Sequence, residues 1–475
     1  MNKLKSLLPP FTSSYLLVFG LFLFATGHVL FSKYMFMDGL YYTTIARNLS
    51  IGDCSLWHLK FTNTFSPEWN GHPPLAMFIE SLYFDLFGYN WFVDKFYSFS
   101  TYIFTAVVIH KIWKLVNPTY SISWLIIFLW LFTPVVFWAV GNNMLENTMT
   151  IFILLSVYFL LLNIINQRWY SIILAGIFIV LGFLTKGFVA LFPISFFFIH
   201  FLVFRNFSIV SMILRSVLLI AACVIPLLLL FLLQPQALEA MKDYLSVQVI
   251  NSLNNVVTVE SRFFIVKRLL SELLVVFILL AILYFFTRKK GERLNSDKLQ
   301  NQWALFFILF GLTGVLPIMV SMKQSGFYIL SSYPLLIIGI ASLFIQKLYF
   351  LHVKLHDFKY FKIIGIVLFS FGLIYSLTSI NKYGKDEKLV KDVELISSYV
   401  HKGTIFNASQ AMLDDYSLHA YLYRFNFISI DCNNQFTSMY YLVNTEEPNT
   451  TDLSAEYTLV PLKTQVLKLY SKKHL

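Results

Sequence analysis

Apolar runs long enough to cross a lipid bilayer recur from one end of this chain to the other. A helix needs about 20 largely apolar residues to span the hydrocarbon core. Segments 11–31, 122–140, 149–165, 208–233, 263–286, 303–322 and 361–380 reach or approach that length, while 96–115, 170–184, 188–204 and 327–345 are shorter or more polar. Together they predict about eleven spans. Composition agrees: 57% of the 475 residues are hydrophobic and 13% charged, against about 25% charged in a soluble domain. So few polar residues cannot cover that much apolar surface in water. The expected fold is an all-α polytopic membrane bundle. The first run has no small-residue cleavage site after it and reads as a retained span.

The net charge of +11 is carried largely by short loops between spans, so no nucleic-acid partner is expected and membrane lipids are. Lys and Arg excess marks the cytoplasmic side. Alternate loops carry Lys3 and Lys5, Lys111 and Lys114, Arg168, Arg205, the run Arg288, Lys289, Lys290, Arg293 and Lys298, and then Lys347, Lys354, Lys359 and Lys362. That bias predicts a cytoplasmic N-terminus and, with an odd number of spans, a C-terminal tail outside. The chain has only Cys54, Cys223 and Cys432, too few for a disulfide framework, although Cys54 and Cys432 fall on one side and could pair.

The organisation expected is a transmembrane part over 1–380, with a large first outward loop over 32–95, and a small extracytoplasmic α/β domain over 381–475. The loop far exceeds the usual helix connection of about 2–8 residues. Within it, 39–49 has helical spacing, with Leu40, Ile45 and Leu49 on one side, and reads as a helix along the membrane interface. A second outward loop, 234–262, holds another amphipathic stretch. In the tail, 385–400 and 418–424 read as helices and 404–407, 427–431, 440–443 and 458–462 as strands, the last an edge strand because it contains Pro461.

Polar groups at membrane depth are costly and need an explanation. Asp38 follows the first span in Met37-Asp38-Gly39-Leu40-Tyr41-Tyr42, with Arg47 beyond it. His72 heads His72-Pro73-Pro74-Leu75; Glu146 precedes the fourth span; Lys186 sits in Leu184-Thr185-Lys186-Gly187; Arg262 and Arg268 open the eighth span; Lys323 ends the ninth, ahead of Tyr328. Each has a plain alternative. Asp38 and Glu146 could complement helix N-termini, His72 could be an ordinary loop histidine, Lys186 and Lys323 could snorkel, and Tyr328 could join an interfacial aromatic belt. Their common side is what those alternatives leave unexplained. Carboxylates can activate a hydroxyl or amine nucleophile, and Arg and Lys suit a phosphate or pyrophosphate. No phosphate loop, dinucleotide fingerprint, zinc-spaced Cys/His cluster or GxSxG elbow is present, which argues against a nucleotide-driven cytoplasmic enzyme.

Four stretches, 37–47, 70–75, 142–152 and 184–193, and a weaker fifth, 323–334, resemble in order and placement the GT-C superfamily of polyprenyl-phosphate-sugar-dependent glycosyltransferases. The chain is similar to bacterial aminoarabinose lipid A transferases and to dolichyl-phosphate-mannose protein mannosyltransferases over about 1–346. The resemblance implies an inverting transfer of one sugar from a polyprenyl-phosphate carrier to a lipid, glycan or protein acceptor at the outer face of a membrane, expected to be a bacterial inner membrane. It casts Asp38 and Glu146 as catalytic carboxylates, and Arg47, His72, Lys186, Arg262, Arg268, Lys323 and Tyr328 as donor-phosphate or substrate contacts. Members often carry Asp-Glu where this chain has Asp38-Gly39, Lys where it has His72, and Asp where it has Glu146. A divalent cation held by Asp38, Glu146 or His72 is therefore an open expectation, since carboxylates are the usual hard-metal ligands. The rival readings are a transporter or flippase of a lipid-linked saccharide, and a scaffold whose tail binds a partner. Transporters commonly show internal repeats, and no half-to-half similarity is present.

Overall fold

The computed structural model describes residues 13–287, 297–432, 437–446 and 453–473. Lys3, Lys5, Arg288, Lys289, Lys290 and Arg293 of the charge bias, and the start of the first apolar run, lie outside the described residues. The helices are α1 (Ser13–Leu30), α2 (Met37–Ser50), α3 (Leu75–Phe87), α4 (Val93–Val116), α5 (Ser123–Leu131), α6 (Pro134–Ala139), α7 (Leu145–Asn166), α8 (Tyr170–Lys186), α9 (Phe196–Phe204) and α10 (Ile209–Leu233). They continue with α11 (Pro235–Asp243), α12 (Asn251–Asn254), α13 (Phe264–Thr287), α14 (Lys298–Thr313), α15 (Tyr333–Leu343), α16 (Ile345–Asp357), α17 (Phe361–Leu377), α18 (Glu387–Tyr399) and α19 (Tyr416–Asn426).

The chain divides into two compact units. The first holds Met1–Leu30, Gly71–Ala76 and Ser98–Thr378; the second holds Phe31–Asn70, Met77–Tyr97 and Ser379–Leu475. Most of the 32–95 loop thus falls in the same unit as the tail.

In the first unit, eight helical runs among the described residues, one of them entering from the second unit in α4, are long and apolar enough to cross a membrane. Two further pairs, bent by 75° at α5–α6 and by 92° at α16–α17, would raise the number to ten. One of the eight, Tyr170–Phe204, is 35 residues long. It doubles back at Gly187, whose φ of +77° is left-handed, and Ala190 returns to lie 3.2 Å from where a Cβ on Gly182 would stand. The eight to ten candidate spans among the described residues stand close to the about eleven expected. Packing follows the membrane rule that small residues let backbones meet. Along α1 and α17, a Cβ at Gly372 would stand 2.2 Å from the Gly20 carbonyl oxygen.

The second unit is built on a five-stranded sheet of β1 (Ile405–Ala408), β2 (Ser429–Asp431), β3 (Tyr440–Asn444), β4 (Tyr457–Leu459) and β5 (Leu467–Lys472), in the order β2-β1-β3-β5-β4. β1 runs parallel to β2 and β3; β5 runs antiparallel to β3 and β4. The buried Asp392 carboxylate of α18 accepts the amides of Gln465, Val466 and Leu467 at 2.7–2.9 Å, which fixes the entry to β5. The interfacial helix expected at 39–49 is corrected. α2 is buried on most sides, through Leu40, Thr43, Thr44, Ile45, Ala46, Arg47 and Asn48, and packs against α19. Most of its polar side chains are buried within the protein, so it does not present a wet face. All the cysteines are free, so Cys54 and Cys432 form no disulfide.

Candidate functional site

The first unit gathers four of the expected residues, His72, Lys186, Lys323 and Tyr328, around one cavity, with Glu146 paired to one of them. Asn143, left-handed at φ 46°, ends the 3-10 turn Val140–Asn142, and Met144 leads into α7, whose first turn carries Glu146. α8 runs back alongside α7 and ends on Lys186. Glu146 and Lys186 therefore meet in an ion pair, with side chains 0% and 6% exposed. The Lys186 ammonium also stands 5.2 Å from the ring centre of Tyr328 and 5.5 Å from that of Phe327, a cation–π arrangement that strengthens away from water. Phe327 in turn stacks on Trp138 at 5.8 Å.

Gly187 is required by its surroundings as well as by its φ. A Cβ there would stand 2.0 Å from the Tyr244 hydroxyl oxygen, which donates to the Lys186 carbonyl at 3.4 Å. Tyr244 opens the π-helical segment Tyr244–Ile250 that joins α11 to α12. Burial pushes its hydroxyl up to about 12. The His72 ring lies 6.3 Å from that of Tyr244. Desolvation first, then the Lys186 and Lys323 ammoniums, hold the His72 imidazole well below its ordinary value, so it stays neutral near pH 7. Lys323 donates to the Ser252 hydroxyl at 3.2 Å, and Ser321 to the Ser252 carbonyl at 3.0 Å.

His72, Lys186, Tyr244, Lys323 and Tyr328 line a cavity of about 960 Å³ whose remaining wall is mostly Phe, Leu, Ile and Val from 188–195, 249–253 and 317–320. That volume is at the upper end of ordinary ligand sites, which run to roughly 1,000 Å³. Ammonium groups opening on an apolar chamber suit an amphiphile with an anionic head, because each part of the ligand finds its own solvent.

The sequence profile of the dolichyl-phosphate-mannose-protein mannosyltransferase family matches residues 71–232, a stretch that includes His72, Glu146 and Lys186. ArnT from Cupriavidus metallidurans bound to undecaprenyl phosphate superposes with a TM-score of 0.66 at 11% identity, covering 96% of this chain and 97% of that one. The fold is similar to that of ArnT over nearly the whole of both chains. The same ArnT in its apo state gives 0.63 at 12% identity, over 94% and 95% of the two chains. The oligosaccharyltransferase of Archaeoglobus fulgidus in the apo form gives 0.51 at 12%, over 91% of this chain and 69% of that one. No curated protein sequence matches the chain.

Other expected residues stand apart from the cavity lining. Arg262 donates to the carbonyls of Met319 and Val320. Arg268 pairs with Glu272 at 2.6 Å. Asp38 and Arg47 belong to the second unit. Asp38 lies in the first turn of α2, where its charge helps to raise the Tyr416 hydroxyl, after burial and Asp414. Arg47 is buried, donates to the Tyr423 carbonyl at 3.1 Å and to Asn48 at 2.9 Å, and covers the Phe427 ring at 4.4 Å. Burial and the neighbouring Arg424 push its guanidinium down to about 10. Among the described residues no three His, Cys, Asp or Glu side chains come together as metal ligands, and Glu146 is engaged by Lys186, so no step is derived through a metal.

Sequence reasoning missed Tyr244, Ser252, Trp138, Phe327 and Glu272. The amphipathic pattern of 234–262 flagged the segment carrying Tyr244 and Ser252 without singling out either residue. Glu272 is an acidic residue inside an apolar run, and that was the signal available for it.

Proposed function

We propose that this chain transfers a single sugar from a polyprenyl-phosphate carrier to a lipid, glycan or protein acceptor at the outer face of a membrane, with inversion at the anomeric carbon. The cavity carries the reading, because it joins two ammonium groups to an apolar chamber. The solved ArnT binds undecaprenyl phosphate, an amphiphile of the kind this cavity suits. Lys186 and Lys323 face the phosphate, His72 supplies a neutral hydrogen-bonding imidazole, and Tyr328 positions the headgroup. Glu146 orients Lys186 and offsets part of its charge, so that the phosphate can leave after transfer. Asp38 is assigned to the acceptor. Its carboxylate takes the proton of the attacking hydroxyl or amine while that atom bonds to the anomeric carbon and the bond from that carbon to the phosphate oxygen breaks. The electron pair leaves with the lipid phosphate, where charge develops and cations are worth most. Arg262 and Arg268 hold protein partners instead and are not assigned to the phosphate. The charge bias of the loops supports a cytoplasmic N-terminus and an extracytoplasmic tail.

The test is mass spectrometry of lipids and glycans from cells with the chain, without it, and with Asp38→Asn. One hexose- or pentose-sized mass increment that requires both the chain and Asp38 is expected. Identical profiles in all three, with a lipid-linked saccharide accumulating on one leaflet in its absence, would point to a flippase.

A further inference from the structure

The bundle of the first unit contains a buried carboxylate that the proposed reaction does not use. Glu272 lies two turns into α13, with a side chain 3% exposed. A carboxylate at such depth is costly unless it is paired and hydrogen-bonded. One of its oxygens accepts the backbone amide of Val135 at 2.6 Å. That amide lies just past Pro134, where α5 and α6 bend by 75° and the helical hydrogen-bond ladder is interrupted. The other oxygen holds Arg268 at 2.6 Å. The Arg268 stem lies flat on Gly326: a Cβ there would stand 2.7 Å from Nε and 3.0 Å from Cγ.

Those contacts bind α13 to two segments that converge on Lys186. α6 runs through the turn Val140–Asn142 into the start of α7, which delivers Glu146. Gly326 opens the 3-10 segment Gly326–Ser332, which delivers Phe327 and Tyr328. The two segments also pack on each other through Trp138 and Phe327.

We propose that the Arg268–Glu272 pair is a positioning device for the donor site, clamping the α6 bend and Gly326 so that Glu146, Phe327 and Tyr328 surround the Lys186 ammonium. The inference rests on the reading of Lys186 as a donor-phosphate contact. It also gives Arg268 a different role from the one its sequence position suggests: it acts through Glu272 and the backbone, and does not grip phosphate itself. Glu272→Gln keeps an acceptor for Val135 but loses the ion pair.

The experiment uses the full chain in nanodiscs, with undecaprenyl phosphate as the probe and hydrogen exchange as a second readout. Glu272→Gln and Arg268→Gln are each expected to weaken binding about tenfold. The double variant should be no worse than either single one, because both act on one contact. Arg268→Lys should restore binding to within about twofold, since it keeps the pair. In nanodiscs without undecaprenyl phosphate, both Gln variants should exchange faster than the wild type over 134–147 and 326–332 and unchanged over α14. If Arg268→Gln alone weakens binding while Glu272→Gln leaves it unchanged or tightens it, Arg268 touches the phosphate and the clamp is wrong. Unchanged exchange in both segments also overturns it. A wild-type chain that binds no undecaprenyl phosphate, with the Gln variants still exchanging faster in both segments, would overturn the donor reading and leave the clamp standing.

Discussion

Glu146 with Lys186, and Asp94 with Arg424, are both fully buried ion pairs, with side chains no more than 6% exposed, and their surroundings differ. The first pair sits where α7 begins and α8 ends, beside the cavity and against the rings of Phe327 and Tyr328. The second belongs to the other unit and stands among further charges. Arg47 and Lys95 both feel Arg424, and Lys95 donates to the Tyr34 carbonyl at 2.6 Å. Desolvation taxes both pairs alike, and breaking either leaves one uncompensated charge. Burial of charge therefore does not by itself mark the reacting region. The mark is an ammonium that is buried against protein on one side and opens on a chamber on the other.

The largest effect is expected from a carboxylate outside both pairs. Asp38→Asn should lower transfer by about 10²- to 10⁴-fold, the range for loss of a general base, without moving the melting temperature; unaltered turnover with a radiolabelled carrier-linked sugar would remove Asp38 from the mechanism. Arg424→Met tests the structural pair and should cost about 3–5 kcal/mol of stability by stranding Asp94, read as a lower unfolding midpoint, with undecaprenyl phosphate binding retained in the protein that stays folded. Lys186→Met tests the other pair. It should lower transfer about 10²- to 10³-fold, as loss of one transition-state cation does. Adding Glu146→Gln should recover stability but not transfer; recovery of both would make the pair structural, like its counterpart.

A smaller effect concerns acid. Burial pushes the His419 imidazole down to about 4 from an ordinary 6.5. The unfolded chain takes up that proton below about pH 6.5 and the folded chain only below about pH 4, so stability falls as pH drops through that window. His419→Phe, which can keep the stacking on Phe65 seen at 4.8 Å, should flatten the change in melting temperature between pH 7 and 5. The smallest effect is expected on the surface. Lys33 pairs with Glu394 at 2.6 Å, but both are partly exposed. Lys33→Ala should cost less than about 1 kcal/mol, against several for Arg424→Met.

The bundle was legible in the sequence because lipid leaves the backbone little choice but the helix. The turn at Gly187 was legible too, since it interrupts an otherwise continuous apolar run. In the tail, the segments read as strands placed β1 to β4 within a few residues and Pro461 correctly argued for an edge: β4 is the last strand of the sheet and ends at Leu459. β5 was missed, although Leu467 and Leu469 alternate with polar neighbours and β4 shortly precedes it. The ends of spans showed which charges needed explaining, but not their partners. Lys186 with Glu146 is buried between two helices, Arg268 with Glu272 lies within α13 with its arginine 46% exposed, and they differ too in what lies beyond each pair. That depends on how α6, α13 and the Gly326–Ser332 turn pack, and no local pattern encodes it.

The most direct test is equilibrium binding of undecaprenyl phosphate to the purified full chain in nanodiscs, by native mass spectrometry, with undecaprenol as the comparison lipid. The cavity predicts one tightly held undecaprenyl phosphate per chain, a much weaker undecaprenol, and loss of that preference in the Lys186→Met, Lys323→Met double variant. Equal retention of the two lipids, or a preference that survives the double variant, would contradict it.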